Sequence, residues 1–314
     1  MDSCQLIVKH WDALNLQSEW SEARDVLQRI AIKEPRDWRL PVLACEAVGG
    51  DPDESTPAVA AIAFAQIAII LIDDMLDGDP RGEHHKIGLP AAANLAAAFQ
   101  CAALDSLARA ELDPTIKTAA IDSLNRMLFI TSLGQHLDTQ NILDEAAYWH
   151  VVKNKSAPFF GTALYLGALC GGTSLEAAQL IKQFGQLYGE MIQIHDDLND
   201  SLAVPANPDW KLGRASLPIL FAQTVEHPQR ERFWELRQVI ADPEALIEAQ
   251  TILLRSGAIS YGIHHLLERH QQGRDLLRMM SLQHKESLES LLEEQVEPIR
   301  QLFLSINETK GAAE

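Results

Sequence analysis

The chain has 314 residues, 47% hydrophobic and 22% charged, with a formal net charge of −18. That is the mix of a soluble globule with room for a sizeable core. The acidic balance argues against a nucleic-acid partner, which needs a basic face, and against docking on an anionic membrane surface; an anionic substrate stays open, because a divalent cation can mediate that contact.

The N-terminus "MDSCQLIVKHWDAL" lacks the charged start and apolar core of a signal peptide. Cys4, Cys45, Cys101 and Cys170 are scattered without metal-binding spacing and read as reduced core thiols of a cytoplasmic protein. Abundant alanine and leucine with little β-branched alternation predict helices near 3–16, 18–33, 38–48, 56–77, 90–111, 114–137, 142–171, 174–200, 214–225, 228–240, 243–256, 258–280 and 284–307. Thr56-Pro57 reads as an N-cap followed by proline at the first helical position. The apolar run Ala58–Ile72 is interrupted by Gln66 and ends in acids, so it reads as a buried core helix, with no membrane span. Ser174 opens a later helix, and Glu176 adds early negative charge. "GGDPDESTP", "GDPRGEHHKIGLP" and "SLAVPANPDWKLG" break the pattern without forming a linker. The expectation is one all-α domain over 1–314, with a frayed tail from about 307.

Two segments share a motif. "LIDDMLDGD" places Asp73, Asp74 and Asp77 at the end of one apolar helix, and "QIHDDLND" places Asp196, Asp197 and Asp200 at the end of another. On a helix, positions i and i+4 share a face, so Asp73 pairs with Asp77 and Asp196 with Asp200, and the middle aspartates lie about 100° round. Acids at a helix C-terminus oppose the macrodipole and repel one another, so folding alone would not select them. Mg2+ is the natural counter-charge, a hard ion that takes carboxylate, water and phosphate oxygens. The two segments suit facing helices of one bundle. The chemistry that fits is departure of a diphosphate, with metal-neutralised charge on the leaving oxygen. An apolar cavity walled by residues 58–72 and 175–194 would house an allylic chain and exclude water.

Five markers, in order, resemble the trans-isoprenyl diphosphate synthases, or polyprenyl synthetase family. They are "DDMLD", "GQHLD" (134–138), "KNKSAPFF" with Lys155-Ser156, "GEMIQIHDDLND" with Gln193, and "DWKLGRASLP" with Lys211 and Arg214. The resemblance implies an antiparallel helical bundle of the isoprenoid synthase type with a central apolar cavity, commonly a homodimer. It implies that Asp73, Asp74, Asp77 and Asp196 hold Mg2+ on an allylic prenyl diphosphate, with Asp197 and Asp200 on the same acidic face. Lys155, Lys211 and Arg214 would bind diphosphate oxygens, Gln193 would lie near the cation path, and Gln135 and Asp138 would shape the cavity.

The chain also departs from the family pattern. In "EPRDWRLPVLACEAVGG", Arg36 and Arg39 remain, but Trp38 and Leu40 fall where basic residues are usual. Gln66 replaces a histidine, and Arg81 stands alone after the first motif. This implies an intact ionising half and a degraded isopentenyl diphosphate site, which His84, His85, Lys86 and Lys33 could compensate. His84 and His85 otherwise read as a solvated loop, His195 as a helix-surface histidine held by nearby acids, and Phe159-Phe160 as core packing or a cation-stabilising pair. Ala65, Ala68 and Ile69, one turn and more before Asp73, are expected to floor a tunnel for chains of about C15 to C20 or more. Three functions remain open: a prenyltransferase acting on isopentenyl diphosphate or another nucleophile, a class I terpene synthase, and a noncatalytic partner subunit.

Overall fold

Every regular element among the described residues is helical. The computed structural model describes residues 3–13, 20–33, 35–207, 209–212 and 216–301. In chain order, α1 (Ser3–Asp12) and α2 (Ser21–Ala31) precede a 3-10 turn, Arg36–Arg39, that runs into α3 (Leu40–Ala47). A second 3-10 turn, Pro52–Ser55, runs into α4 (Thr56–Asp77), followed by the single turn α5 (His84–Ile87) and by α6 (Leu89–Ala108). Next come α7 (Pro114–Asp138), α8 (Glu145–Lys155), α9 (Ala157–Cys170), α10 (Leu175–Leu202) and the single turn α11 (Asp209–Leu212). The last are α12 (Leu217–Thr224), α13 (Arg230–Gln238), α14 (Pro243–Arg255), α15 (Ala258–Met279) and α16 (Glu286–Glu294). They fall into two compact units, one from segments 1–132, 158–186 and 280–288, the other from 133–157, 187–279 and 289 onward.

In the first unit, α4 packs along α6. Both are rich in alanine, and Ala58, Ala61, Ala65, Ala68, Ala92, Ala96 and Ala103 are buried. Small side chains let the two backbones approach closely, and the larger ones fill the remaining space. Trp11, Phe64 and Phe99 close the packing as an aromatic cluster with ring centroids 5.1 to 6.1 Å apart. Each such fully buried ring contributes about 2–3 kcal/mol by area. Residues 52–77 and 89–108 are long and apolar enough to cross a membrane, and 67% and 44% of their most apolar windows are buried within the protein. For α4 that is the environment of a core helix.

In the second unit, Tyr148 and Val152 of α8, Leu217 and Leu220 of α12, Phe233 and Leu236 of α13, and Leu246 and Leu253 of α14 share a core with Trp210. The buried Arg269 binds Glu190 at 3.0 Å and lies 4.0 Å from the centre of the Trp149 ring. Pairing and ring contact together satisfy a charge that would be costly alone.

Several boundaries differ from the expectation. The helix expected over 142–171 breaks at Ser156 into α8 and α9, because Pro158 brings no N–H to continue the ladder. Thr56 is the first residue of α4, not its cap; Asp51 caps the preceding 3-10 turn by accepting the Asp53 N–H at 3.0 Å. Pro52, at the first position of that turn, has the fixed φ such a start favours. Ser174 does cap α10, accepting from Ala177 N–H at 3.2 Å. Cys45 and Cys170 are buried thiols, but Cys101 is exposed, since α6 turns that position outward. The side chain of Cys4 and the tail from 302 onward lie outside the described residues.

Candidate active site

The last turn of α4 carries Asp73, Asp74 and Asp77, the first two half-buried and the third exposed. The chain leaves the helix through Gly78 at φ 62° and ψ 34°, a left-handed conformation that glycine adopts without strain. Asp79 follows and is gripped by Arg81, through the backbone N–H at 2.8 Å and the guanidinium at 3.1 and 2.8 Å. These bonds hold Asp79 down at about 2. Burial, then the charges of Asp79 and Asp73, push the Asp74 carboxyl up. Arg81, the lone arginine after the first motif and a candidate substrate-binding residue, is thus engaged by Asp79, although 89% of its side chain is exposed.

His84 is buried beside Asp74, not in a solvated loop. A Cβ on Gly82 would fall 2.5 Å from His84 Nδ1 and 2.9 Å from Asp74 Cβ, so both side chains pack on that glycine. His85 is exposed and lies against His84 with ring centroids 4.1 Å apart and planes tilted by 40°. Glu83 gathers Arg29 and Lys86, each at 2.8 Å, so the Lys86 charge already has a partner. Lys33 is exposed.

Upstream, Arg36 and Arg39 are exposed on their 3-10 turn while Trp38 is buried. Between them Asp37 accepts the Gln66 amide N–H at 2.7 Å. Burial pushes the Asp37 carboxyl up, and this hydrogen bond opposes the shift. Sequence reasoning missed Asp37, because only the contact with Gln66 singles it out. Ala65 and Ala68 are 0% exposed and border no water-sized space, whereas Ile69 keeps accessible surface. Phe159 is buried edge-on to Phe160, with centroids 5.3 Å apart.

The second acidic segment lies in the second unit. Asp196 is exposed and Asp200 partly so, but Asp197, one step round the helix, is buried. Its Oδ2 accepts the Leu217 N–H at 2.7 Å, and its Oδ1 accepts the Gln193 amide at 3.0 Å. Burial pushes its carboxyl up to about 7 against the pull of these donors. Gln193 Oε1 in turn accepts the Ser156 hydroxyl at 2.6 Å. Lys155 meets Asp138 at 2.6 Å, joining the ends of α8 and α7. Gly134 makes that junction possible: a Cβ there would lie 2.3 Å from Lys155 N and 2.4 Å from the Asn154 carbonyl carbon. Gln135 is buried, and His195 hydrogen-bonds the Gln295 carbonyl. The Lys211 side chain and Arg214 lie outside the described residues. A groove of about 130 Å3 in this unit is lined by Leu217, Leu220, Phe221 and Tyr261, with Glu145 at its wall.

Among the described residues no three His, Cys, Asp or Glu side chains are gathered as a ready metal cage. The donor set nevertheless fits Mg2+. This ion takes one or two carboxylates and completes its shell with water and phosphate oxygens. Crowded carboxylates at the negative pole of α4, with Asp74 pushed up by burial and then by its acidic neighbours, are what such a cation would relieve. Asp197 fits less well, since protein donors occupy both its oxygens.

Comparison with known proteins sets this geometry in a family. Residues 33–253 match the polyprenyl synthetase family profile. The chain belongs to that family. A short chain isoprenyl diphosphate synthase of Methanothermobacter thermautotrophicus is 27% identical over 256 residues, spanning 77% of this chain and 78% of that one. A geranylgeranyl diphosphate synthase of Methanosarcina mazei is 30% identical over 182 residues, 55% of each chain. The structure of a geranylgeranyl pyrophosphate synthetase from Pyrococcus horikoshii superposes with a TM-score of 0.82 at 21% identity, covering 93% of this polyprenyl synthetase and 95% of its counterpart. That likeness establishes the shared all-α fold.

Proposed function

We propose that this polyprenyl synthetase is a Mg2+-dependent prenyltransferase that joins an allylic prenyl diphosphate to isopentenyl diphosphate. The observation that carries the reading is α4: a buried apolar helix that ends, against its own dipole, in Asp73, Asp74 and Asp77, in a chain of this family. The relatives bear the names of prenyl diphosphate synthases, which favours transfer to isopentenyl diphosphate over cyclisation.

In the reaction, the allylic carbon–oxygen bond breaks and its electron pair leaves with diphosphate. The allylic carbon bonds to the terminal alkene carbon of the acceptor, and a proton is lost to restore a double bond. Bound Mg2+ supplies charge neutralisation on the leaving oxygens. Asp73, Asp74 and Asp77 on one acidic segment, and Asp196 and Asp200 on the other, are the carboxylates to hold it. Lys155, aimed by Asp138, meets diphosphate oxygens, with Lys211 and Arg214 in the same role by resemblance. Gln193 has its amide direction set by Asp197 and Ser156. Arg36 and Arg39 receive the acceptor diphosphate.

We also read the protein as a homodimer, as the resemblance implies, as cytoplasmic on its scattered cysteines, and as one domain over 1–314 because no linker-like run divides it. The Asp37–Gln66 pair favours a terpene synthase as the second reading, because it sets a carboxylate where an acceptor diphosphate would need cations. The experiment is Mg2+-dependent diphosphate release by Asp73→Ala and Asp196→Ala. Each should lose activity by about a hundredfold or more, the scale of removing transition-state charge stabilisation. Unchanged release would overturn the reading.

A further inference from the structure

The loop after the first acidic segment folds into one helical turn, α5, which is too short to hold itself, since a lone turn fixes several residues for little hydrogen bonding. It touches α4 and α6, and one further contact reaches it from 54 positions away. Arg29 of α2 grips Glu83, the residue before α5, donating from Nε at 3.1 Å and from Nη2 at 2.8 Å to the same carboxylate oxygen. The other oxygen of Glu83 takes Lys86, three positions on, which ties the turn to itself. The Glu83 side chain is only 12% exposed, so this pair is better shielded from water than an open surface bridge. Neither Arg29 nor Glu83 belongs to the five sequence markers.

We propose that Arg29 is a positioning residue for the first acidic segment: through Glu83 it seats α5, and α5 keeps His84 against Asp74. The base of this contact is firm. Ala23, Val26, Leu27 and Ile30 of α2 are buried, and Arg24 binds Asp12 of α1 at 3.1 and 3.2 Å. Trp11 of α1 in turn packs on Phe64 of α4 and Phe99 of α6. Arg29 stands in the last turn of α2, where the helix dipole favours a cation. At the other end of the contact, His84 follows Glu83 directly and is buried. Gly82 lets His84 and Asp74 close together, since a Cβ there would lie 2.5 Å from the ring nitrogen and 2.9 Å from the aspartate Cβ. A ring this close removes some of the rotamers open to Asp74. A shift of α5 would restore them, and the bound cation would then have to order the carboxylate at a cost in affinity.

Because this rests on the reading of Asp74 as a carboxylate that holds Mg2+ on the diphosphate, the test separates the two. The variant is Arg29→Ala. The control is Arg24→Ala, which removes the other ion pair of α2 and leaves α5 untouched. Calorimetric binding of inorganic diphosphate in the presence of Mg2+ should weaken about fivefold in Arg29→Ala, somewhat less than the loss of a group bonded directly to a metal ligand, and should not weaken in Arg24→Ala. In turnover of an allylic diphosphate with isopentenyl diphosphate, the half-saturating Mg2+ concentration should rise by the same factor while kcat at saturating Mg2+ stays within about twofold. In a Glu83→Ala background Arg29→Ala should cost nothing more, since the contact is already gone. The last arm needs neither ligand nor turnover. The hydrogen-bonded amides of Gly82, His85, Lys86 and Gly88 should exchange with deuterium about tenfold faster in Arg29→Ala, while those of α2 and α4 stay as they are. Equal weakening in Arg29→Ala and Arg24→Ala, equal loss in both backgrounds, or unchanged exchange around α5 would each overturn the proposal. A wild-type protein that binds no diphosphate with Mg2+ would sink the functional reading, and exchange decides the seating of α5 in either case.

Discussion

The side-chain amide of Gln66 donates to Asp37 across 2.7 Å, putting a carboxylate into the stretch where the family carries cations. A negative charge beside Arg36 and Arg39 opposes an anionic acceptor. Asp37→Asn keeps an oxygen for Gln66 and removes the charge. Its KM for isopentenyl diphosphate should fall by up to about tenfold, the effect of roughly 1.4 kcal/mol of relieved repulsion. Steady-state kinetics with the acceptor varied decide this, and an unchanged or higher KM would take Asp37 out of the acceptor site.

The same substitution carries a pH signature. Burial raises the Asp37 carboxyl above its unfolded value, so the folded state holds that proton more tightly. Such a group adds stability that is fully present below the unfolded value and is lost as pH rises through the folded one. Wild type should therefore gain stability relative to Asp37→Asn as pH falls from neutral toward 4. Denaturant midpoints of the two proteins across that range measure it, and a constant difference would contradict the shift.

Ala68 and Ile69 are adjacent on α4 but differ in surroundings. Ala68 is sealed in the core, and Ile69 keeps accessible surface. A phenylalanine at 68 should overpack the core and cost about 1–3 kcal/mol of stability. Ile69→Phe should leave stability nearly unchanged and shorten the longest product. Thermal unfolding and product chain length separate the two, and shortening by Ala68→Phe without destabilisation would reverse the assignment.

Gly134 lies against the backbone of Asn154 and Lys155. In Gly134→Ala, α7 and α8 must separate, because backbone cannot swing aside as a flexible side chain does. The Lys155–Asp138 pair, 2.6 Å long, would open with them. Both stability and diphosphate affinity should fall, by about 1–3 kcal/mol and about tenfold. Native-like unfolding with native-like affinity would mean that the junction adapts.

Local signals made much of this legible. The helix expected over 56–77 is α4 to the residue, because a long apolar run, Pro57 near its start and Gly78 just past its end all agree. Ser174 reads correctly as the cap of α10 for the same reason. The break at Ser156 is legible in Pro158, which cannot continue the helical ladder. The rest depended on contacts distant in sequence. Asp37 gains meaning only from Gln66, 29 positions on. His84 becomes a buried side chain only when Gly82 and Asp74 close over it. Asp197 is indistinguishable from Asp196 by motif, and only the packing of α12 and α8 on α10 turns one inward and the other to solvent.

The most direct measurement is incorporation of labelled isopentenyl diphosphate into an extractable, longer prenyl diphosphate. Geranyl, farnesyl and geranylgeranyl diphosphates would each be offered with Mg2+, with and without the acceptor. A prenyltransferase gives a product extended by five-carbon units, equimolar diphosphate release for each unit added, and no product without the acceptor. A hydrocarbon or alcohol formed from the allylic diphosphate alone would contradict the account and identify a terpene synthase.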